Sequence, residues 1–356
     1  MTGTHAHGGD PVRVALVGAG GIAKTHAQAV ATLGDAIRVV AAVEPNQGAR
    51  TAFAEVADVP FVDTTADLLR LRESGEIAID ALVVCTPPSV REDVIVPALK
   101  AGLHVLVEKP LARTELETIP LIEAEASHAG LVCAVGYCHR FTPAMLEMKR
   151  LLAEGALGRL TRFENVFAFH HPPMGERWFS DAVVSGGGSF VDTGCHSLDL
   201  FQFLVGSPDV CGATADFAWP DRGDSSGSVL VRAGDGAHEG VAGVILSGWL
   251  EPARFQVRLV GTEGSLFYDY ETPTALERTA PDGKTDAIDV QPHENRFPDQ
   301  LAAFAEAVGS GRSASEVGLA SFREAQIVAK AVDSVHTAVR LYNHAAMSRL
   351  SSHAKG

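Results

Sequence analysis

Apolar residues follow two rhythms along the chain, and the change of rhythm divides it. Before about position 140, continuous apolar runs at 12–17, 37–43, 81–85, 104–107 and 131–135 alternate with stretches of helical spacing such as 23–33 and 91–101. Runs rich in β-branched residues and separated by helices predict strands buried on both faces, as in a doubly wound parallel sheet. Beyond Phe141-Thr142-Pro143, a helix at 145–153 leads into strand-like segments at 160–169, 210–218, 228–232, 241–249, 253–260 and 265–270. Several of these follow one another without an intervening helix, which predicts an antiparallel sheet and an α+β second domain. The 271–295 segment is polar, acidic and proline-containing, and reads as an exposed excursion. Two helices, about 299–309 and 318–344, close the chain. Leu301, Phe304 and Val308 in the first, and Ile327, Val332, Val335 and Val339 in the second, recur at helical spacing, so both are amphipathic. The expected organisation is a tail over 1–10, an α/β domain over 11–140 and an α+β domain over 141–345, the last helix being free to return to the first domain.

Length and charge narrow the classes. A chain of 356 residues suits two domains, because single cores stop growing near ~250–300 residues. Twenty-nine basic against 44 acidic residues give a net charge of −15, and only seven of the basic residues are lysine. Nucleic acid and anionic membrane surfaces need clustered positive charge, so neither is an expected partner. Small anionic ligands stay open, since one local cluster of donors holds them. No apolar run approaches the ~18–20 residues of a membrane helix, and MTGTHAHGGD lacks the basic and apolar regions of a signal peptide. Five cysteines without a CxxC pair predict neither a disulfide framework nor a structural zinc site. The expectation is a reduced, cytoplasmic protein.

The first candidate chemistry lies directly after the first strand. Gly18-Ala19-Gly20-Gly21-Ile22-Ala23 matches GxGxxA, the alanine variant of the dinucleotide fingerprint. Gly18 makes the tight turn, Gly20 lets backbone approach a pyrophosphate, and the small Ala23 lets helix and strand pack closely. The N–H groups around Gly21 and Ile22 at the helix start favour negative charge. Glu44 ends the second strand, 26 residues beyond Gly18; an acid there accepts the ribose hydroxyls of NAD and repels a 2′-phosphate. Arg50 lies nearby and is able to pair a phosphate, so the pattern favours NAD without closing off NADP.

Two further stretches carry chemistry with an alternative each. Lys109, in Glu108-Lys109-Pro110, follows the fourth strand, where open α/β sheets present their ligand crevice; it is also compatible with a surface turn. Proline after it restricts Lys109 to extended backbone and permits a cis bond. In GGGSFVDTGCH at 186–196, Asp192 and His196 share a face if the segment is helical, and Asp199 extends that face. A carboxylate and an imidazole one turn apart serve as an oriented acid/base or as metal ligands; a helix cap with a helix-face histidine is the plain alternative. Cys138, His139, His170, His171, Cys195 and His196 form no zinc spacing, so no metal is expected.

These pieces resemble the Gfo/Idh/MocA family, the glucose–fructose oxidoreductase and inositol dehydrogenase group. The matching stretches are VGAGGIAKTHAQAV at 17–30, VVCTPPS at 83–89, AGLHVLVEKPLA at 101–112, GYCHRFTPA at 136–144, GALG at 155–158, GGGSFVDTGCHSLDLFQFLVG at 186–206 and VGTEGSL at 260–266. The resemblance implies an N-terminal Rossmann domain and a C-terminal domain on a large open, mostly antiparallel sheet, whose outer face would join copies into a homodimer or homotetramer. It implies a catalytic trio of Lys109, Asp192 and His196. The histidine, tuned by the other two, takes a proton from a sugar, cyclitol or polyol hydroxyl while hydride passes to the nicotinamide. It further implies cofactor contacts from Thr86, Pro87, Glu108, Lys109 and Arg140, and substrate contacts from Lys109, Tyr137, Asp192 and His196. His171 and Trp178 fall in a stretch without a fixed family pattern, expected to shape the substrate pocket; Trp178 would stack on a sugar face or pack in the core. Pro88 and Arg91 stand where the family often has asparagine and histidine, which puts the cofactor contacts there in doubt. The expected activity is an NAD(P)-dependent dehydrogenase or ketoreductase of CH–OH groups. The alternatives are an enzyme of glycoside elimination, hydrolysis or epimerisation that oxidises transiently with tightly held NAD, and a cofactor-binding regulator without activity, against which the intact trio argues.

Overall fold

A computed structural model describes residues 10–170, 174, 177–219 and 222–353, the side chains of 343–353 excepted. The expected tail, apart from Asp10, and His171 lie outside the described residues. The chain forms two compact units. The first comprises Met1–Ala112, Leu116–Phe141 and Glu294–Ala325; the second comprises Arg113–Glu115, Thr142–His293 and Gln326–Gly356.

The first unit is built on β1 (Val12–Val17), β2 (Ile37–Val43), β3 (Phe61–Val62), β4 (Ala81–Val84), β5 (His104–Glu108) and β6 (Cys133–Gly136), with α1 (Gly21–Ala31), α2 (Gln47–Ala54), α3 (Thr65–Glu73), α4 (Arg91–Lys100) and α5 (Glu115–Ala126) between them. The six strands pair in parallel in the order β6-β5-β4-β1-β2-β3. Leu16, Ala81, Val83 and Leu106 are fully buried, as the continuous apolar runs require for a sheet covered on both faces. The Rossmann expectation holds, with β1 and β2 at their expected bounds.

In the second unit, α6 (Pro143–Ala153) precedes β7 (Leu160–His170). The short α7 (Ala182–Ser185) and α8 (Cys195–Leu204) lead into β8 (Pro208–Asp216), β9 (Ser226–Ala233), β10 (Ala242–Gly248), β11 (Leu250–Gly261) and β12 (Gly264–Asp269). Two more strands follow, β13 (Ala275–Thr279) and β14 (Thr285–Asp289). The eight strands run in the order β14-β13-β12-β11-β7-β10-β9-β8; the β7–β10 pair is parallel and the rest antiparallel. One face takes α8: Phe201 packs edge-on against Phe163 of β7 at 5.3 Å, and Leu198, Leu200 and Phe201 are buried. At ~1.5–3 kcal/mol for each such side chain, this packing fixes the helix that carries His196.

One expectation is corrected and another extended. The 271–295 excursion contains β13 and β14; charged residues such as Glu277, Arg278 and Asp286 disguise them, and β14 forms the sheet edge, where such residues are usual. The change of unit after Phe141 lies next to the expected boundary at 140, but it is not the only one. After the second sheet the chain returns through α9 (Arg296–Ser310) and β15 (Ala320–Ser321), which adds to β6 as an antiparallel edge strand. Leu301, Phe304 and Ala305 of α9 share one buried cluster with Ala23, Ala27 and Val30 of α1. The last helix, α10 (Phe322–His353), begins in the first unit and continues into the second. Among the described residues no helix is long and apolar enough to cross a membrane.

Candidate active site

The first unit presents the Gly18–Ala23 loop as a fixed turn in front of a helix. Gly18 has φ +96° and donates its N–H to the Val43 carbonyl at 2.8 Å. A Cβ there would lie 3.3 Å from the Cys85 backbone carbonyl atoms, so both conformation and space call for glycine. Gly20 precedes α1 in extended backbone, and no side chain caps the helix. A Cβ at Gly20 or Gly21 would meet no other described atom within 4 Å. The helix start, with its unshared N–H groups and positive dipole end, therefore opens onto free space, which fits a pyrophosphate. Ile22 and Ala23 follow in α1, Ala23 fully buried against the sheet.

Glu44 stands beside this loop in a held position. Its carboxylate accepts the Ala19 N–H at 3.0 Å and the Asn46 N–H at 2.9 Å. That leaves acceptor capacity for two ribose hydroxyls, so the residues present fit NAD. Thr86 and Pro87 follow β4. Arg91, replacing the family's usual histidine, is buried and turns its guanidinium onto the Thr86 carbonyl at 2.8 and 3.1 Å. It braces the turn from beneath.

At the end of β5, Glu108 is buried and its carboxylate lies 2.7 Å from Nε2 of His26 on α1; His26 meets Phe297 edge-on at 5.6 Å. Lys109 follows, half-buried, with a cis bond to Pro110. Tyr137 is buried. Arg140 is buried and pairs with Glu324 at 2.8 Å. Burial pushes the Glu324 carboxyl up, but the Arg140 charge and the Ser321 N–H outweigh it and hold it below the usual carboxylate range. Two thiols near these residues stay protonated: burial pushes Cys85 well up, helped by Glu108, and pushes Cys138 up to about 11. Protonated buried thiols are poor nucleophiles and poor metal ligands. None of the five cysteines forms a disulfide, and the described residues contain no group of three metal-ligating side chains.

In the second unit, Asp192 lies in one π-helical turn, Phe190–Gly194, which runs directly into α8 and His196. Such turns are rare and gather at functional sites. Asp192 is half-buried, and its Oδ2 accepts the indole N–H of Trp249 at 3.1 Å; His196 and Asp199 are buried. The turn is anchored from beneath by Asp224. Its carboxylate accepts from Gly188 N–H at 3.2 Å, Ser189 Oγ at 2.7 Å and Phe190 N–H at 2.9 Å, with His336 Nε2 of α10 at 3.6 Å. Burial would raise the Asp224 pKa, yet His336 and Ser189 outweigh it and hold the carboxyl below its ordinary value. A Cβ at Gly188 would sit 1.9 Å from the Asp224 carbonyl oxygen, which explains why glycines precede the aspartate. Ser247, near the end of β10, donates to the Ser189 carbonyl at 2.9 Å.

Trp178 is 37% exposed and stacks on Phe179 at 3.9 Å, so the core alternative falls away. Sequence reasoning missed His26, Asp224 and Trp249. Each is a single residue distant in sequence from the group it holds, and no local spacing announces it.

The comparisons with known proteins bear on the fold and the family. Residues 12–137 match the model of the oxidoreductase family with an NAD-binding Rossmann fold, and residues 145–267 match the GFO/IDH/MocA C-terminal domain. A scyllo-inositol 2-dehydrogenase (NAD(+)) of Bacillus subtilis is 26% identical over 315 residues, 85% of this chain and 87% of that protein. Among solved structures, levoglucosan dehydrogenase in complex with NADH and levoglucosan superposes with a TM-score of 0.82 at 20% identity, covering 94% of this chain and 98% of that one. A 3-ketoreductase from Actinomadura kijaniata, in complex with NADP and TDP-benzene, gives a TM-score of 0.77 at 23% identity, with 92% and 98% covered. The chain belongs to the Gfo/Idh/MocA family of NAD-binding oxidoreductases.

Proposed function

We propose that this protein is an NAD-dependent dehydrogenase that oxidises a CH–OH group of a cyclitol, sugar or polyol, or reduces the corresponding ketone. The observation that carries this reading is the uncapped start of α1, open in front of Gly20 and Gly21 beside a Glu44 carboxylate held by two backbone N–H groups. That arrangement suits a dinucleotide with free ribose hydroxyls. Bound there, the nicotinamide supplies the hydride acceptor or donor.

The chain's own residues supply the proton chemistry. His196 accepts the proton of the substrate hydroxyl as the carbonyl forms, and returns it in the reverse direction. Lys109, as an ammonium, stabilises the alkoxide charge that develops on the same oxygen. Asp192, oriented by the Trp249 indole, holds the substrate beside His196. Tyr137 and Trp178 line the substrate side, and Thr86, Pro87, Glu108 and Arg140 shape the cofactor side. The enzyme acts in the cytoplasm with its thiols reduced. It works as a homodimer or homotetramer through the outer face of the eight-stranded sheet, where Leu230 and Val244 are 47% and 37% exposed.

Purified protein with NAD⁺ and a panel of inositols, aldoses and glycosides tests this through NADH formation. Lys109→Ala should lower turnover by about 10²-fold or more with little change in NAD dissociation constant. Equal losses in both would make Lys109 a cofactor ligand only. Substrate consumption with retained NAD and no net NADH would favour transient oxidation instead.

A further inference from the structure

Beside the ribose-binding carboxylate lies a guanidinium that is already committed. Arg50 of α2 donates from Nε to the Glu44 carbonyl at 2.5 Å and pairs through Nη2 with Asp63, just past β3. Its guanidinium carbon sits 5.6 Å above the Phe61 ring centroid. The three anchors come from the end of β2, from β3 and from the residue after β3. They leave the Arg50 side chain only 19% exposed, whereas Asp63 is 72% exposed.

The position of Arg50 matters because a ribose 2′-phosphate needs a cation near the end of the second strand. Arg50 binds the backbone of Glu44 itself, so it lies within one side chain of that place. Counting formal charges, Glu44 and Asp63 contribute −2 and Arg50 contributes +1, which leaves the local group at −1. Without Asp63 it would be neutral; without both acids it would be +1. Asp63 is not needed to hold Glu44, whose carboxylate is fixed by Ala19 and Asn46.

We propose that Asp63 is a cofactor-specificity residue: by holding the Arg50 guanidinium it withholds that cation from a ribose 2′-phosphate and reinforces the exclusion begun by Glu44. The inference rests on the NAD preference proposed above and deepens it. Glu44 excludes the phosphate by repulsion, while Asp63 excludes it by occupying its natural partner. An exposed Asp–Arg pair is worth little to stability, so discrimination is a better account of it than folding.

The test measures dissociation constants of NAD⁺ and NADP⁺ by calorimetry for wild type, Asp63→Asn, Glu44→Ser, the double variant, and the double variant with Arg50→Ala. Adenosine 2′,5′-bisphosphate and 5′-AMP serve as fragments that report the 2′-phosphate alone. The NAD-over-NADP ratio should fall about tenfold in Asp63→Asn, as expected for a nearby charge screened by water. It should fall about tenfold further in the double variant than in Glu44→Ser, and the gain should vanish with Arg50→Ala. High salt should shrink the gain, because it rests on exposed charge. A double variant no better at NADP than Glu44→Ser would overturn the role of Asp63 while leaving the NAD reading intact. A gain that survives Arg50→Ala would overturn it too, since the released cation would then not be Arg50. A wild type that binds NADP more tightly would overturn the NAD preference, and this inference with it.

Discussion

Removal of the Asp224 carboxylate tests how the π-helical turn that carries Asp192 is held. Asp224 is 2% exposed and satisfies three donors, Gly188 N–H, Ser189 Oγ and Phe190 N–H. Asp224→Ala orphans all three. At ~1–3 kcal/mol for each unsatisfied buried donor, partly offset because a charge is no longer buried, the loss is on the order of 3 kcal/mol. For a unit of this size that is roughly 6–12 °C in Tm. Asp224→Asn keeps one acceptor oxygen, costs about half as much, and leaves a folded protein for kinetics. Phe190 opens the π-helical turn that carries Asp192, so a small displacement there reaches the reacting groups. A misplacement of about 1 Å is able to cost ~10²-fold in rate. Asp224→Asn is therefore expected to lower kcat at least tenfold with an unchanged NAD dissociation constant, the cofactor groups residing in the other unit. The pH dependence follows from the depressed pKa of Asp224. Its stabilisation is fully present above the unfolded value near ~3.9 and is lost as pH falls through the lower folded value. The wild-type advantage over Asp224→Asn should hold at neutral pH and fade in acid. Thermal melts from pH 3 to 8, with steady-state kinetics at neutral pH, read both effects. Wild-type kcat and Tm in Asp224→Asn would refute the reasoning.

Three other expectations are independent of Asp224. Trp249→Phe removes the indole N–H that holds Asp192 at 3.1 Å; a hydrogen bond to a charged group is worth ~1.5–3 kcal/mol, so kcat should fall about tenfold, and unchanged kcat would show that Asp192 is held otherwise. Gly18→Ala forces a side chain into φ +96° and against the Cys85 carbonyl at 3.3 Å; a stability loss of ~1–3 kcal/mol and weaker NAD binding are expected, by denaturant melts and calorimetry. Glu125 has its pKa raised to about 7, by burial and against the pull of Arg323. An acid raised on folding destabilises the native state increasingly as pH climbs from its unfolded toward its folded value. Glu125→Gln should thus raise the unfolding free energy more at pH 8 than at pH 5, by less than the ~3 kcal/mol of the full shift because the site is half-solvated; an equal change at both pH values in denaturant melts would contradict this.

Much of the fold was legible because its information is local. Continuous β-branched runs at 12–17 and 37–43 mark buried parallel strands wherever they occur, and Gly18, Gly20 and Ala23 carry the geometry of a tight βα turn in their own lack of side chain. Glu44, Lys109, Asp192 and His196 stood out as candidates for a related reason: each sits at a fixed offset from a strand end or glycine run. The sequence of α9 shows an apolar face but not its partner, so its return to α1 was out of reach; amphipathicity states that a face is buried, never against what. β14 was hidden because an edge strand needs few apolar residues, and β13 beside it because Glu277 and Arg278 break its apolar pattern.

What the sequence determined by itself is the pair of fold types and the dinucleotide loop, and it nominated the candidate chemistry-bearing residues, since propensity, periodicity and motif spacing act over a few residues. Only the tertiary structure decided which distant groups hold those residues in place: Asp224 under the Asp192 turn, Trp249 on its carboxylate, His26 on Glu108 and Asp63 on Arg50. The last of these contacts spans 13 residues and the others between 34 and 82. Their partners are selected by packing of whole elements, which no short stretch of sequence encodes.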